Sequence, residues 1–232
     1  MQRLAKVISR AGICSRREAE RLIIAGFIKV DGIIVSSLGT PVDNDCKIEV
    51  LGELIKSQAP ASRLWTYYKP LGLITTHKDP QGRDTVFDSL KEIPRVISVG
   101  RLDLNSEGLL LLTNDGNLSR YLELPTNKLI RIYKVRAYGN SNIIEKAQFP
   151  IEIDGIVYNP KSVKLIGERG KNSWFEVVLW EGKNREVRKI FEHFSLSVNR
   201  LIRTKYGPYE LGDLKPGQYC EQHKSTFNDF II

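Results

Sequence analysis

Apolar positions follow a helical period at the start of the chain and a strand period through most of the rest. Leu4, Val7 and Ile8 recur at helical spacing, and Gly12 ends the stripe. Ala19, Leu22 and Ile23 form a second stripe that Gly26 closes. Ser15-Arg-Arg-Glu18 precedes it, and the spacing predicts a capping box in which Ser15 and Glu18 satisfy the free amides of the first turn. Residues 27–30 and 33–35 flank Asp31-Gly32, a strong short-hairpin signal, and a third strand is predicted over 47–51. Residues 52–63 show no sustained period and carry Ser, Pro and small side chains, which predicts a linker.

Beyond residue 63 short strands dominate, predicted over 65–68, 96–99, 109–113, 129–137, 163–165, 174–179 and 198–204. Helical patterns are fewer, at 118–124, 143–149 and 185–194. The expected fold class is α+β, with residues 1–60 as a small module (linker about 52–63) and 64–232 as a larger, mainly antiparallel domain. No nucleotide-binding glycine loop and no long repeat is present.

Composition narrows the classes. With 232 residues and 41% apolar content, the chain can bury a substantial core. No apolar run approaches the roughly 18 residues of a membrane span, and the first residues lack the apolar centre of a secretion signal, so a cytoplasmic protein is expected. Cys14, Cys46 and Cys220 are far apart, as are His77, His193 and His223, so neither a disulfide framework nor a metal site is expected. The net charge of +8 is concentrated rather than spread. Arg3, Lys6, Arg10, Arg16, Arg17, Arg21 and Lys29 oppose only Glu18 and Glu20 in the first 30 residues, a local +5. Residues 183–206 repeat that balance with Lys183, Arg185, Arg188, Lys189, Arg200, Arg203 and Lys205 against Glu186 and Glu192. Such concentration suits a polyphosphate partner, whose released counterions favour binding. On the first helix Arg3, Lys6 and Arg10 recur at spacings of three and four, which predicts one basic face opposite the apolar stripe.

The candidate chemistry lies in Gly100-Arg-Leu-Asp103, held between the apolar runs 96–99 and 109–112 and followed by Asn114-Asp-Gly116. That segment, with Tyr67-Tyr-Lys-Pro70, Thr75-Thr-His-Lys-Asp79 and Arg83-Asp-Thr-Val-Phe-Asp88, resembles the ribosomal RNA pseudouridine synthases that carry an S4 domain, nearest the large-subunit synthase B branch. The capped helices and Asp-Gly hairpin at the N-terminus are likewise similar to an S4 RNA-binding domain. The resemblance implies a mixed central sheet crossed by an active-site cleft, no cofactor and no metal.

It also implies roles for single residues. Asp103 matches the essential aspartate, and Arg188, in Gly182-Lys-Asn-Arg-Glu-Val-Arg188, matches an arginine whose guanidinium pairs with that carboxylate through a two-point fork. Tyr133 matches the tyrosine that stacks on the target base, and Arg101 the residue that fills the gap when a uridine leaves its RNA stack. Arg83, Arg200, Arg203 and Lys205 are expected to touch RNA, and Lys69-Pro-Leu-Gly72 to punctuate a loop. The implied activity is isomerisation of a uridine to pseudouridine in 23S ribosomal RNA within a large-subunit assembly intermediate, with neither membrane nor obligate protein partner. Small-subunit (16S) specificity stays open, as does a non-catalytic RNA-binding factor of ribosome assembly. The covalent route at Asp103 is open as well: base adduct, sugar adduct or glycal.

Overall fold

The computed structural model describes residues 1–43, 45–55 and 60–230, the side chains of residues 145 and 169 excepted. Two compact units emerge: residues Met1–Arg63 with Pro94–Val96 and Asn114–Gly116, and the remainder from residue 64.

In the first unit α1 (Leu4–Arg10) and α2 (Arg16–Ile24) pack with a four-stranded antiparallel sheet of β1 (Ile28–Val30), β2 (Ile33–Ile34), β3 (Ile48–Val50) and β4 (Glu53–Ile55), in the order β2-β1-β3-β4. Leu4, Ile8, Ile23, Ile28 and Ile48 are fully buried and form its core. Asp31 and Gly32 both take positive φ, 50° and 81°, as the tight hairpin requires. Half of the expected capping box is present: Ser15 Oγ accepts the Glu18 N–H at 3.1 Å, while the Glu18 carboxylate turns to Arg21, 2.7 Å away. Exposure explains that choice, since a charged neighbour competes better than a single amide there. Arg3 is not on the helix. It is the extended residue before it and pairs with Pro41, so the basic face of α1 is reduced to Lys6 and Arg10.

The expected linker is also partly a strand. Leu51 and Gly52 take positive φ and reverse the chain, so β4 pairs along β3 with Ile55 opposite Ile48. A three-residue strand with one buried side chain has too short a period to be seen in sequence. Residues 56–59 of that linker lie outside the described residues.

The second unit is built on a nine-stranded sheet. Its strands are β5 (Leu64–Lys69), β6 (Ile97–Val99), β7 (Glu107–Thr113), β8 (Arg131–Tyr138), β9 (Ser162–Arg169), β10 (Asn172–Leu179), β11 (Ser197–Tyr206), β12 (Tyr209–Glu210) and β13 (Tyr219–Glu221). The order is β9-β10-β8-β11-β7-β5-β13, with β12 on β11 and β6 on β7. Leu109–Leu112 have no exposed surface, which puts β7 at the centre, covered on both faces. Each such leucine contributes about 1.5–3 kcal/mol of burial, enough to fix the strand's place without help from its ends. Three helices flank the sheet: α3 (Gly116–Glu123), α4 (Ser141–Glu145) and α5 (Glu186–His193). α4 starts and stops earlier than the apolar pattern predicts. Asn140 caps it through the Asn142 N–H at 3.2 Å, and Pro150 disfavours helical backbone at Phe149. Among the described residues no helix is long and apolar enough to cross a membrane.

The pairing of β7 with β11 is parallel, unlike its neighbours, with Arg203 opposite Gly108. Gly108 has φ +101°, and a Cβ there would stand 2.3 Å from the Arg203 carbonyl oxygen and 2.8 Å from its amide nitrogen. Backbone on both sides leaves no flexible atom to yield. Gly108→Ala should therefore lower stability by about 3 kcal/mol or more, read as a fall in the thermal midpoint, whereas a change below about 0.5 kcal/mol would show that the junction is pliable.

Candidate active site

The loop between β6 and β7 carries Asp103 and is fastened at alternate residues. Thr75 Oγ1 donates to the Leu102 carbonyl at 2.9 Å, and Gly72 N–H donates to that of Leu104 at 3.0 Å. The Ser106 N–H closes a turn on the Asp103 carbonyl at 3.0 Å, and the Ser106 carbonyl accepts from Lys69 Nζ at 2.8 Å. Lys69 is the residue that sequence reasoning placed in a loop for punctuation. It ends β5 instead, is fully buried, and also donates to the Pro70 carbonyl at 2.9 Å. Burial pulls its ammonium down to about 8, against the attraction of Asp103 and Glu107. A lysine closing an aromatic strand, Tyr67-Tyr-Lys, is the one signal that could have pointed to it.

Asp103 itself faces a cleft of about 710 Å³, a volume within the range of ligand pockets. Its side chain is 39% exposed, and its ion-pair partner is Arg185, with Nη1 3.6 Å from Oδ2. The expected fork from Arg188 is absent. Arg188 donates to the Val198 carbonyl at 3.0 Å and the Asn105 carbonyl at 2.5 Å, so its guanidinium lies behind the loop. Burial and then the Arg185 charge lower its affinity for the proton, while Asp103 raises it, which keeps Arg188 within electrostatic reach of the carboxylate. The reason for the exchange is local. Arg185 takes φ +50° just before α5, which turns its side chain toward the cleft one helical turn ahead of Arg188.

The floor of the cleft comes from β8 and β11. Arg131 and Tyr133 alternate with outward residues on β8 and lie opposite Tyr206 and Arg203 in the ladder. Arg131 is buried, donating to the Tyr206 hydroxyl at 2.7 Å and the Trp180 carbonyl at 3.1 Å. Tyr133 is 7% exposed and lines the cleft with Arg101, Asp103 and Arg185. Glu186, buried in the first turn of α5, accepts the Lys183 N–H at 2.9 Å; burial raises its carboxyl above the ordinary range. Arg131 and Glu186 were not singled out from sequence, because nothing in their spacing separates a cleft floor from an ordinary sheet and helix face.

Several of the other basic residues expected to touch RNA already hold an acidic neighbour. Arg200 pairs with buried Glu107 at 2.7 Å; burial opposes that carboxylate's charge, but Arg200 and Tyr68 hold it below the ordinary range. Lys205 pairs with Glu210 at 2.6 Å, and Lys183 with Glu181 at 2.5 Å. Arg83 chelates Asp79 through two bonds of 2.9 Å, pulling that carboxyl down to about 2. Arg203, expected to touch RNA, is 3% exposed on a central strand, with Nε donating to the Leu109 carbonyl at 2.7 Å. Arg101 stands exposed at the cleft and Lys189 is half-buried on α5. In the first unit Arg17 is exposed and Lys6 half-buried, while Arg10 pairs with buried Asp115 at 3.8 Å and Arg16 and Arg21 pair with Glu20 and Glu18. Among the described residues no group of three or more His, Cys, Asp and Glu is placed to hold a metal ion.

The sequence matches the RNA pseudouridylate synthase family over residues 63–193 and the S4 domain over 2–45. It is 63% identical over 222 residues to an uncharacterized RNA pseudouridine synthase of Rickettsia felis, covering 95% of this chain and 96% of that one. Identity to the ribosomal large subunit pseudouridine synthase B of Haemophilus influenzae is 40% over 219 residues, 90% of this chain and 61% of that longer relative. A solved pseudouridylate synthase superposes with a TM-score of 0.66 over 100% of both chains; at 24% identity that likeness is one of fold.

Lys69 gives the site a pH signature. Between about pH 8 and the ordinary value of 10.5 the unfolded chain holds the proton and the folded chain does not, so this group makes the unfolding free energy rise with pH. Lys69→Met should flatten that rise in urea midpoints measured across the window. An unchanged slope would mean that the amine titrates as if in water.

Proposed function

We propose that this chain, which belongs to the RNA pseudouridylate synthase family and carries an S4 domain ahead of its catalytic domain, isomerises a specific uridine of 23S ribosomal RNA with Asp103 as the catalytic carboxylate. The observation that carries this reading is the fastening of the Asp103 loop at Leu102, Leu104 and Ser106, which presents one carboxylate to a cleft large enough for a nucleotide. The reaction breaks the bond from N1 to C1′, turns the base and joins C5 to the same carbon. Electrons and atoms are conserved within the nucleotide, so a fixed carboxylate and a site that retains the free base suffice.

Roles follow from position. Asp103 acts at the sugar or base. Tyr133, flat and almost buried in the floor, stacks on the base and keeps it from diffusing away. Arg185 steadies the carboxylate directly, and Arg188 does so from behind the loop. Because a paired uridine cannot present its sugar carbon to the cleft, it must leave the RNA stack, and exposed Arg101 is placed to enter the gap. Lys6, Arg10, Arg16, Arg17 and Arg21 hold phosphates and tether the RNA, while Arg83, Lys183, Lys189, Arg200 and Lys205 supply a diffuse positive field around the cleft. Large-subunit RNA is favoured by the 40% identity to the Haemophilus influenzae synthase B, and a ribosomal RNA substrate fits a cytoplasmic protein.

Purified protein incubated with 23S and 16S transcripts should create pseudouridine in 23S at one position. Asp103→Asn should abolish it, a loss beyond a thousandfold, while leaving RNA affinity intact; undiminished formation would remove Asp103 from the chemistry. The double variant Lys6→Ala, Arg17→Ala should weaken RNA binding and reduce the slope of log affinity against log salt by about one for each phosphate no longer neutralised. An unchanged slope would assign the tether elsewhere.

A further inference from the structure

The cleft holds two buried polar groups of opposite character that the mechanism has not used, one in its floor and one on α5. Arg203 Nη2 and Glu186 Oε1 have no hydrogen-bond partner among the described residues, and both residues line the cleft. A guanidinium has five N–H donors, and Arg203 commits one of them, from Nε to the Leu109 carbonyl. An unmade bond at a buried charged group is costly, so a ligand that supplies the partner recovers that cost on binding. Arg203 stands beside Tyr133 in the β8–β11 ladder, next to the ring proposed to hold the base. It cannot swing away: its Cζ sits 5.0 Å from the centre of the Tyr206 ring, and its own backbone packs against Gly108.

We infer that Arg203 and Glu186 form a binding subsite for the imide edge of uracil, Arg203 donating to a carbonyl oxygen and Glu186 accepting from N3–H. The inference rests on the proposed reaction and adds to it a pair of residues that read the base. Its chemical ground is the symmetry of the turn. A half-rotation of uracil about the line through N3 and C6 exchanges N1 with C5 and the C2 carbonyl with the C4 carbonyl, and leaves N3–H where it was. One fixed donor and one fixed acceptor therefore fit the base before and after it turns, and release it only between.

The same donor serves the bond-breaking step. The electron pair of the N1–C1′ bond leaves with the base, spreads onto the carbonyl oxygens, and returns when C5 bonds to C1′. The C5 proton is then lost and N1 gains one, so the sum is an isomer. A buried cation against a carbonyl oxygen stabilises the charge while it exists. Cytosine fails the test on both counts: its N3 accepts instead of donating, and in one of the two orientations an amino group would face the guanidinium.

The experiment measures single-turnover pseudouridine formation on a 23S transcript by wild-type protein and Arg203→Lys, with fold checked by thermal midpoint. A transcript carrying cytidine at the mapped position serves as competitor. Lysine keeps the charge but cannot reach with a planar fork, so the rate should fall tenfold or more, with half-saturating RNA rising by no more than the preference that is lost. The wild type should prefer the uridine transcript over the cytidine competitor several-fold, and the variant should lose that preference. An active wild type matched by an equally fast variant of equal preference overturns this inference alone. A wild type that makes no pseudouridine overturns the reaction on which the inference rests. Should Arg203→Lys not fold, equal competition by the two transcripts against wild type overturns it.

Discussion

The ammonium of Lys69, enclosed at the end of β5 and hydrogen-bonded to the carbonyls of Pro70 and Ser106, ties the central strands to the loop that presents Asp103. Two effects could hold that loop, and their sizes separate them. The ion pair of Asp103 with Arg185 is 3.6 Å long between half-exposed groups, and such pairs contribute about 0–1 kcal/mol. The Lys69 bond to the Ser106 carbonyl is buried and the Thr75 bond to Leu102 partly so, and losing the buried one leaves a polar group unsatisfied at roughly 1–3 kcal/mol. Position is thus set from beneath by Lys69 and Thr75, and the arginine is left free to respond to a substrate.

Charge in the second unit divides by depth. At the periphery Arg83, Lys183 and Lys205 are held by carboxylates, so their contribution to RNA is a field rather than specific grips. In the floor Arg131 and Arg203 lie against Tyr206, whose hydroxyl accepts from Arg131 and donates to the Leu122 carbonyl. Buried cations of this kind are expensive unless fully hydrogen-bonded, and Arg131 is closer to that state than Arg203. A strained polar balance in a floor that otherwise packs as a sheet marks where binding energy can be recovered by a ligand.

Much of the architecture could be read from local pattern. The Asp31-Gly32 turn and the Ser15 cap depend on interactions within a few residues of each other, and the buried leucine run and the strands of the large sheet show in the apolar pattern along the chain. Family resemblance and the ordered motifs around Asp103 pointed to the S4 domain, the mixed sheet and the class of reaction, and the matches to relatives and to a solved synthase support them. What escaped was short or ambiguous in period: β4 within the expected linker, Arg3 outside its helix, and α4 shifted toward Asn140.

The sequence by itself determined the elements, their amphipathic faces and the presence of one carboxylate between two apolar strands, because periodicity and turn chemistry are local properties of the chain. Only the tertiary structure decided which arginine meets that carboxylate, that Lys69 is buried, and that Arg203 faces a cleft rather than solvent. Those outcomes depend on register between strands far apart in the chain, above all the parallel pairing of Arg203 with Gly108, and on a single positive φ at Arg185. Neither leaves a periodic trace, since a basic residue at a strand position has the same spelling whether the sheet turns it inward or out.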